Sequence, residues 1–441
     1  MLKKIIRSII VNLLEWEARL VLKKYKPCIV AVAGNVGKTS AKDAIAVVLS
    51  EIARVRKSEK SYNSELGIPL TILGRASGWN NPWRWLGNIF EGVSLLVFPH
   101  HYPDWLVLEV GADRPGDIRR VARWLNPHVV VVTRIGEKPV HVEFFANRES
   151  LIREKAYVVE ALGAGGRVIL NADDQDVVGM TAYTSLKPLT YGMSKEAMVR
   201  SSNNKLTYDE LEESDEKTVP GRRVIGVTCK VDYKGKSFPV RLAGVFGSAN
   251  ILPALAAFAV GASQGMNGVA IIEALTHFLP PPGRLRLLEG IKGSTIVDDT
   301  YNASPAAMRL ALESLEEVEY SGKKIAVLAD MLELGELTVG AHEEMGALAA
   351  RICNIIITVG ERAKFIAAGA KATGMSEDSM WHFDDARSAG RMLDSMLTTG
   401  DIVLIKGSQF MRMERCVEEV MLHPEQKSKL LVRQDKEWLS R

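Results

Sequence analysis

Residues 34–40 read GNVGKTS, directly after the apolar run CIVAVA (28–33) and directly before a helical pattern with Ala44, Ile45, Val48 and Leu49 on one face. Strand, glycine loop and helix in that order make a cradle for phosphate. Gly34 and Gly37 let backbone N–H groups close around phosphate oxygens, Lys38 reaches the terminal phosphates, and the Thr39 hydroxyl is placed to hold Mg²⁺. Asn35 and Ser40 complete the loop. The general spacing GxxxxGK[ST] would put its first glycine at position 32, which is Val here, so the loop is the shorter form GxxGKT.

Other residues able to do chemistry stand at strand ends. The run WLVLEVGA (105–112) reads as a buried strand delivering Glu109 into a glycine turn. VVVVTRIG (129–136) and GRVILNADD (166–174) repeat the pattern of strand and polar turn. Helical segments such as RPGDIRRVARWL and ESLIREKAYVVEAL alternate with them, which implies a mostly parallel sheet covered by helices on both faces. Residues 194–243 change character, a charged loop and hairpin expected to decorate the domain edge. Between Leu242 and Ile272 no charged residue occurs. Pro253, Gln264, Gly265 and Asn267 break that run well short of the roughly twenty residues a membrane span needs, so two buried helices are expected. PPPGRLRLLEG (280–290) reads as a linker. A second α/β alternation follows it, with Asp298, Asp299, Asp330 and Lys406 at strand ends, where open α/β sheets hold ligands. The expected organisation is an N-terminal helix (1–26), a P-loop ATPase domain (27–283) and a second, Rossmann-like α/β domain (284–441).

The 441 residues suffice for two or three domains at about 150 residues each. A net charge of +3 makes no demand for nucleic acid. Cys28, Cys229, Cys353 and Cys416 form no CxxC or zinc spacing, which is the usage of reduced thiols in a cytosolic protein. The opening segment carries Leu2, Ile5, Ile6, Ile9, Leu13, Trp16 and Leu20 at helical spacing, while Arg7, Glu15, Glu17 and Arg19 interrupt any signal-peptide core. Two readings of this amphipathic helix stand: packing on the neighbouring domain, or lying on an anionic membrane surface with Lys3, Lys4, Arg7, Lys23 and Lys24 at the headgroups. The aromatic segment 77–105, with Trp79, Trp83, Trp85, Phe90 and Phe98, reads either as a helix docked by large side chains or as an exposed membrane or partner patch.

The order GNVGKTS, YNSELGIPLT, LEVGADRPGDI, HVEFF, REKA, LNADD, PPGRL, DDTYNASP, LADMLELGE and IKGS resembles the Mur ligase family, ATP-dependent amide-forming enzymes of peptidoglycan precursor synthesis. DDTYNASP and LADMLELGE are most similar to the branch that adds D-alanyl-D-alanine to a UDP-muramoyl tripeptide. The resemblance implies transfer of phosphate from ATP to a substrate carboxylate, then attack of an amine on the acyl phosphate. It implies that Lys38 holds the β/γ-phosphates, that Thr39 and Glu109 hold a first Mg²⁺, and that His141 serves a second. Lys155, in REKA, matches the lysine that family members carbamylate into a metal partner. Arg284 matches a linker arginine that reaches ATP, Asp299 and Asn302 match the nucleotide-facing segment, and Lys406 and Ser408 would face the incoming amino component. The implied protein is a cytoplasmic monomer acting on small molecules, with peripheral membrane contact through residues 1–26 as one option.

Two departures shape the expectation. Family members of this branch begin with a domain that grips the UDP-sugar, whereas here residues 1–26 precede the phosphate-loop strand. A UDP-linked substrate is therefore expected either not to be recognised or to be held by another protein, by the aromatic segment 77–105, or as a membrane-bound substrate near the N-terminal helix. The adenine-side pattern GxHNxxNALAA reads GSANILPALAA, with Ala249 and Pro253 at the altered positions. Two alternatives therefore remain at this stage: a folylpolyglutamate-synthase-like ligase for an acceptor without UDP, and a nucleotide-dependent membrane-associated regulator without ligase activity.

Overall fold

The computed structural model describes residues 2–59, 62–79, 81–112, 114–136, 145, 147–210, 222–319 and 322–440. Among them, two sheets carry the architecture. The first runs in the order β2-β3-β1-β4-β5-β6-β7-β8-β9. Its strands are β1 (Cys28–Ala33), β2 (Val55–Lys57), β3 (Trp105–Glu109), β4 (Val129–Val132), β5 (Arg167–Asn171), β6 (Leu189–Gly192), β7 (Val199–Glu210), β8 (Arg222–Tyr233) and β9 (Lys236–Ala243). The strands from β2 through β7 pair in parallel, and β8 and β9 return antiparallel. The segment expected to decorate the edge thus extends the main sheet itself. Alternation explains this: Val227, Cys229 and Val231 of β8, with Val240 and Leu242 of β9, turn inward and join the same core as β1.

Helices cover both faces because the parallel strands are apolar on both sides. One layer contains α2 (Lys38–Ser50) and the helix Leu252–Ser263, packed on Val30, Val32, Val129 and Val131. The uncharged stretch forms two helices, Leu252–Ser263 and Gly268–Leu275. The opposite layer holds α1 (Leu2–Tyr25), α3 (Gly67–Leu73), α4 (Pro82–Val97), α5 (Asp117–Leu125) and α6 (Arg148–Glu160). There Leu14, Ala18 and Val21 of α1 are fully buried against the core that holds Ile29, Ala31, Leu106 and Leu108. The N-terminal helix is packed on the domain along this face.

The second sheet runs β10-β11-β15-β12-β13-β14, from β10 (Arg286–Glu289), β11 (Thr295–Asp299), β12 (Lys324–Ala329), β13 (Ile355–Val359), β14 (Met380–Phe383) and β15 (Ile402–Lys406). Only β10 is antiparallel to its neighbour. The stretch 280–290 is therefore a linker only in its first half: Arg286, Leu287 and Leu288 pair with β11. Phe246 and Val224 of the first domain are buried in the core of the second, beside Val297 and Leu312, and Arg223 pairs with Glu289 at 2.7 Å. These contacts set the cleft between the domains.

Candidate active site

The phosphate loop grows out of β1, which is held between β3 and β4. At its end Gly34 takes φ 136° and Gly37 φ 83°, both in the region that favours glycine. A Cβ on Gly34 would also sit 2.1 Å from Thr133 Oγ1, so position 34 excludes side chains twice. The loop is strapped to the turn after β4: Asn35 N–H and Val36 N–H donate to the Arg134 carbonyl at 2.9 and 3.0 Å. The Asn35 side chain donates to Ile135 O at 3.0 Å. Asp174, from the LNADD run, accepts from Ile135 N–H and Gly136 N–H at 2.8 and 3.0 Å. Lys38 bends back so that Nζ donates to Asn35 O at 3.2 Å, and Ser40 is half-buried on the same turn.

Glu109, at the carboxyl end of β3, meets this loop. Thr39 Oγ1 donates to its Oε2 at 2.8 Å, and Asn63 Nδ2 donates to its Oε1 at 3.1 Å; the carboxylate is buried. Lys42, one helical turn beyond Lys38, is buried with them, its Nζ donating to Ser58 O at 2.6 Å. Burial pushes the Lys42 ammonium below its ordinary range, while nearby Asp43 and Glu109 act in the opposite direction. Neither Asn63 nor Lys42 was singled out from the sequence. Lys42 had a signal, its i+4 spacing from Lys38 on the loop-facing helix; Asn63 had none beyond the YNSELG run.

Lys155 projects from α6 into the loop and donates from Nζ to Gly34 O at 3.1 Å, with 2% of the residue exposed. Its neighbour Glu154 is also buried, and accepts from Gly116, Ile118 and Arg119 N–H at 2.9, 2.8 and 3.1 Å, holding the start of α5. His141 lies outside the described residues. Among the described residues no group of three or more His, Cys, Asp or Glu forms a metal centre. The adjacent Thr39 hydroxyl and Glu109 carboxylate nevertheless form a pair of hard oxygen donors beside the phosphate loop, which suits Mg²⁺.

The second domain adds the far wall. The Arg284 guanidinium lies 3.9 Å from the centre of the Tyr301 ring, and its buried Nε has no hydrogen-bond partner among the described residues. Arg284 and Tyr301 line a cavity of about 570 Å³ together with Thr39, Tyr62, Trp79 and Trp438. A separate cavity of about 360 Å³ runs from Val36, Arg134 and Gly136 to Pro305 and Arg309 of the second domain. Beside it, a smaller pocket joins Gly37 to Asn250 and Pro253, the altered adenine-side run.

Asp299, Asn302, Lys406 and Ser408 converge at the ends of β11 and β15, where each is engaged by its neighbours. Lys406, 1% exposed, pairs with Asp299 and donates to Asn302 O at 3.0 Å. Asn302 Oδ1 accepts from Gln409 N–H at 3.3 Å, and Ser408 Oγ accepts from Leu332 N–H at 2.9 Å. Lys406 and Ser408, expected to face an amino component, are bonded here to neighbouring groups at the strand ends. Adjacent Asp298 is wholly buried, and burial raises its carboxyl to about 6.

Residues 93–260 match the Mur ligase middle domain, and residues 283–409 match the Mur ligase glutamate ligase domain. The chain is 28% identical over 412 residues to the UDP-N-acetylmuramoyl-tripeptide--D-alanyl-D-alanine ligase of Bacillus subtilis, covering 93% of this chain and 79% of that one. It is 30% identical over 400 residues to the Mycobacterium leprae ligase of the same name, covering 86% and 71%. A crystal structure of the MurF ligase of Thermotoga maritima in complex with ADP superposes with a TM-score of 0.73 at 26% identity, over 93% of this chain and 83% of that one. With a phosphate loop, a buried Thr39–Glu109 pair and a second α/β domain sharing a cavity with them, the chain belongs to the Mur ligase family of ATP-dependent ligases.

Proposed function

We propose that this protein joins D-alanyl-D-alanine to the terminal carboxylate of a UDP-muramoyl tripeptide, with ATP as phosphoryl donor and Mg²⁺ as cofactor. The observation that carries this reading is the convergence of Thr39, Glu109 and Lys155 on one phosphate loop, with Thr39 lining a cavity that Arg284 enters from the other domain. In it, the loop N–H groups and Lys38 bind the β- and γ-phosphates. Thr39 and Glu109 would hold Mg²⁺, which when bound neutralises charge on the transferring phosphoryl group. Arg284, whose buried Nε has no hydrogen-bond partner among the described residues, reaches ATP as the second domain closes, and that closure excludes water that would hydrolyse the acyl phosphate. Lys155, as a carbamate, and His141 from the preceding segment would hold a second Mg²⁺, which would supply further charge neutralisation there. The protein works as a monomer in the cytoplasm, with peripheral membrane contact through residues 1–26.

A second reading keeps the chemistry and changes the acceptor. It is favoured by the cavity wall formed by Trp79 and Trp438, since Trp438 lies beyond the matched glutamate ligase domain. One assay separates the two: phosphate release from ATP with UDP-muramoyl tripeptide plus D-Ala-D-Ala, with each alone, and with other free carboxylic acids in place of the UDP compound. The proposed reaction requires release that depends on both co-substrates and an amide product of the summed mass. Release that responds only to a non-UDP acid would transfer the assignment to the second reading.

A further inference from the structure

Helix α4 leaves a long apolar strip outside the fold. Trp83, Leu86, Phe90, Val93 and Val97 recur every three or four residues along it and are 40–78% exposed. Its opposite side, through Asn88, Gly92 and Leu95, is buried. On α1, packed beside it, Ile9 and Trp16 are also exposed two turns apart, while Leu14, Ala18 and Val21 face the core. Two neighbouring helices thus each direct one apolar face inward and a second one outward. Contiguous apolar surface of this kind marks a binding face.

The charges around the strip identify its occupant. Arg84 and Glu91, the charged residues of α4, are each paired, with Glu437 and Arg75. On α1, Glu15 is paired with Arg19 and Arg120, and Glu17 is buried. Exposed Lys23 and Lys26 form no ion pair among the described residues, and the helix begins with Lys3, Lys4 and Arg7 in its sequence. An uncharged strip bearing Trp and Phe, beside exposed Lys23 of α1 and Lys26 just past its end, neither in an ion pair among the described residues, is complementary to an anionic bilayer surface. A second copy would bring the same basic flank to the interface, where the described acidic side chains of α1 and α4, Glu15, Glu17 and Glu91, are already paired or buried. No described helix is long and apolar enough to cross a membrane, so the contact lies along the surface.

We propose that the outer faces of α4 and α1 form one docking surface for an anionic phospholipid bilayer, with α4 as its principal element. This deepens the location given above and is independent of the reaction. It also orients the enzyme. Trp79, just before α4, lines the cavity that Thr39 enters, and Glu437, which holds Arg84 at 2.9 Å, adjoins Trp438 on the same wall. The cavity is therefore placed beside the lipid contact.

The test is co-sedimentation of the full chain with vesicles of phosphatidylglycerol and phosphatidylethanolamine, and with vesicles of phosphatidylcholine alone. Binding is expected for the anionic vesicles only, weakened by salt, and reduced at least about tenfold by Trp83→Ser with Phe90→Ser or by Lys23→Glu with Lys26→Glu. All four residues are exposed, so thermal melts and ATP hydrolysis in solution should match the parent and report that the variants are folded. Absence of sedimentation, equal binding to phosphatidylcholine, or unchanged binding of the Trp83 and Phe90 variant would overturn the proposal. So would a dimer in light scattering that this variant abolishes, which would assign the face to a second copy. Ligase activity without vesicle binding would remove the docking surface and leave the reaction standing.

Discussion

At Lys155 a long side chain crosses from α6 to donate to the Gly34 carbonyl, so an ammonium group stands in the phosphate loop in addition to that of Lys38. Lys155→Ala is expected to lower turnover on the order of 100-fold while nucleotide binding changes little, since Lys38 and the loop N–H groups remain. Rescue by bicarbonate or short carboxylic acids would support a carbamate there; undiminished turnover would take Lys155 out of the mechanism. The loop itself was legible in the sequence because Gly34 and Gly37 are demanded by local backbone geometry and by the Thr133 contact. Asn63 and Glu154 were not, because their partners, Glu109 and the start of α5, lie 46 and 38 positions away along the chain and meet them only once the sheet has formed. For Lys406 and Ser408 the strand-end position was legible, and their intramolecular partners, Asn302 and Leu332, lie too far along the chain to be read from it.

Among elements, α1 and α4 depend on each other. Lys24 Nζ donates to the carbonyls of Leu95, Leu96 and Phe98, closing the C-terminal end of α4, and Tyr25 Oη adds a bond to Leu95 O at 2.8 Å. Gly92 leaves room where they cross: a Cβ there would lie 2.2 Å from Glu17 Oε2, so any side chain would have to displace that carboxyl. That Glu17 carboxyl has no hydrogen-bond partner on either oxygen among the described residues, and burial raises it from 4.5 to about 7. The unfolded chain releases this proton near pH 4.5 while the folded chain keeps it to about 7, so stability falls as pH rises through that window. The full loss is on the order of 3 kcal/mol. Glu17→Gln should therefore unfold like the parent at pH 4 and be more stable by about that amount at pH 8; parallel denaturation curves at both pH values would show that the site is solvated. Helical periodicity revealed α1, while the aromatic run that forms α4 stood open between a docked helix and an exposed patch; only the mutual packing of the two helices decides which apolar face of each is left outside.

On the scale of the whole molecule, alternation of strands and helices disclosed two α/β units and the β8–β9 hairpin, whereas β10, β7 and the joining of that hairpin to the main sheet were obscured by proline, glycine and charge. Those same stretches join the halves: β10 bridges to Val245, and Arg223 on β8 reaches Glu289. A third junction runs from Arg84 on α4 to Glu437, and from Trp79 to Trp438, whose rings meet edge to face with centroids 6.3 Å apart. It ties the lipid-facing helix to a wall of the cavity. Thermodynamic linkage makes such a tie reciprocal: if a bound acceptor shifts this wall, membrane affinity must change by the same factor by which the membrane changes acceptor affinity. Vesicle partitioning measured with and without saturating nucleotide and acceptor would show this as a shift of a few-fold, and identical partitioning would mean that the two faces act as strangers within one chain.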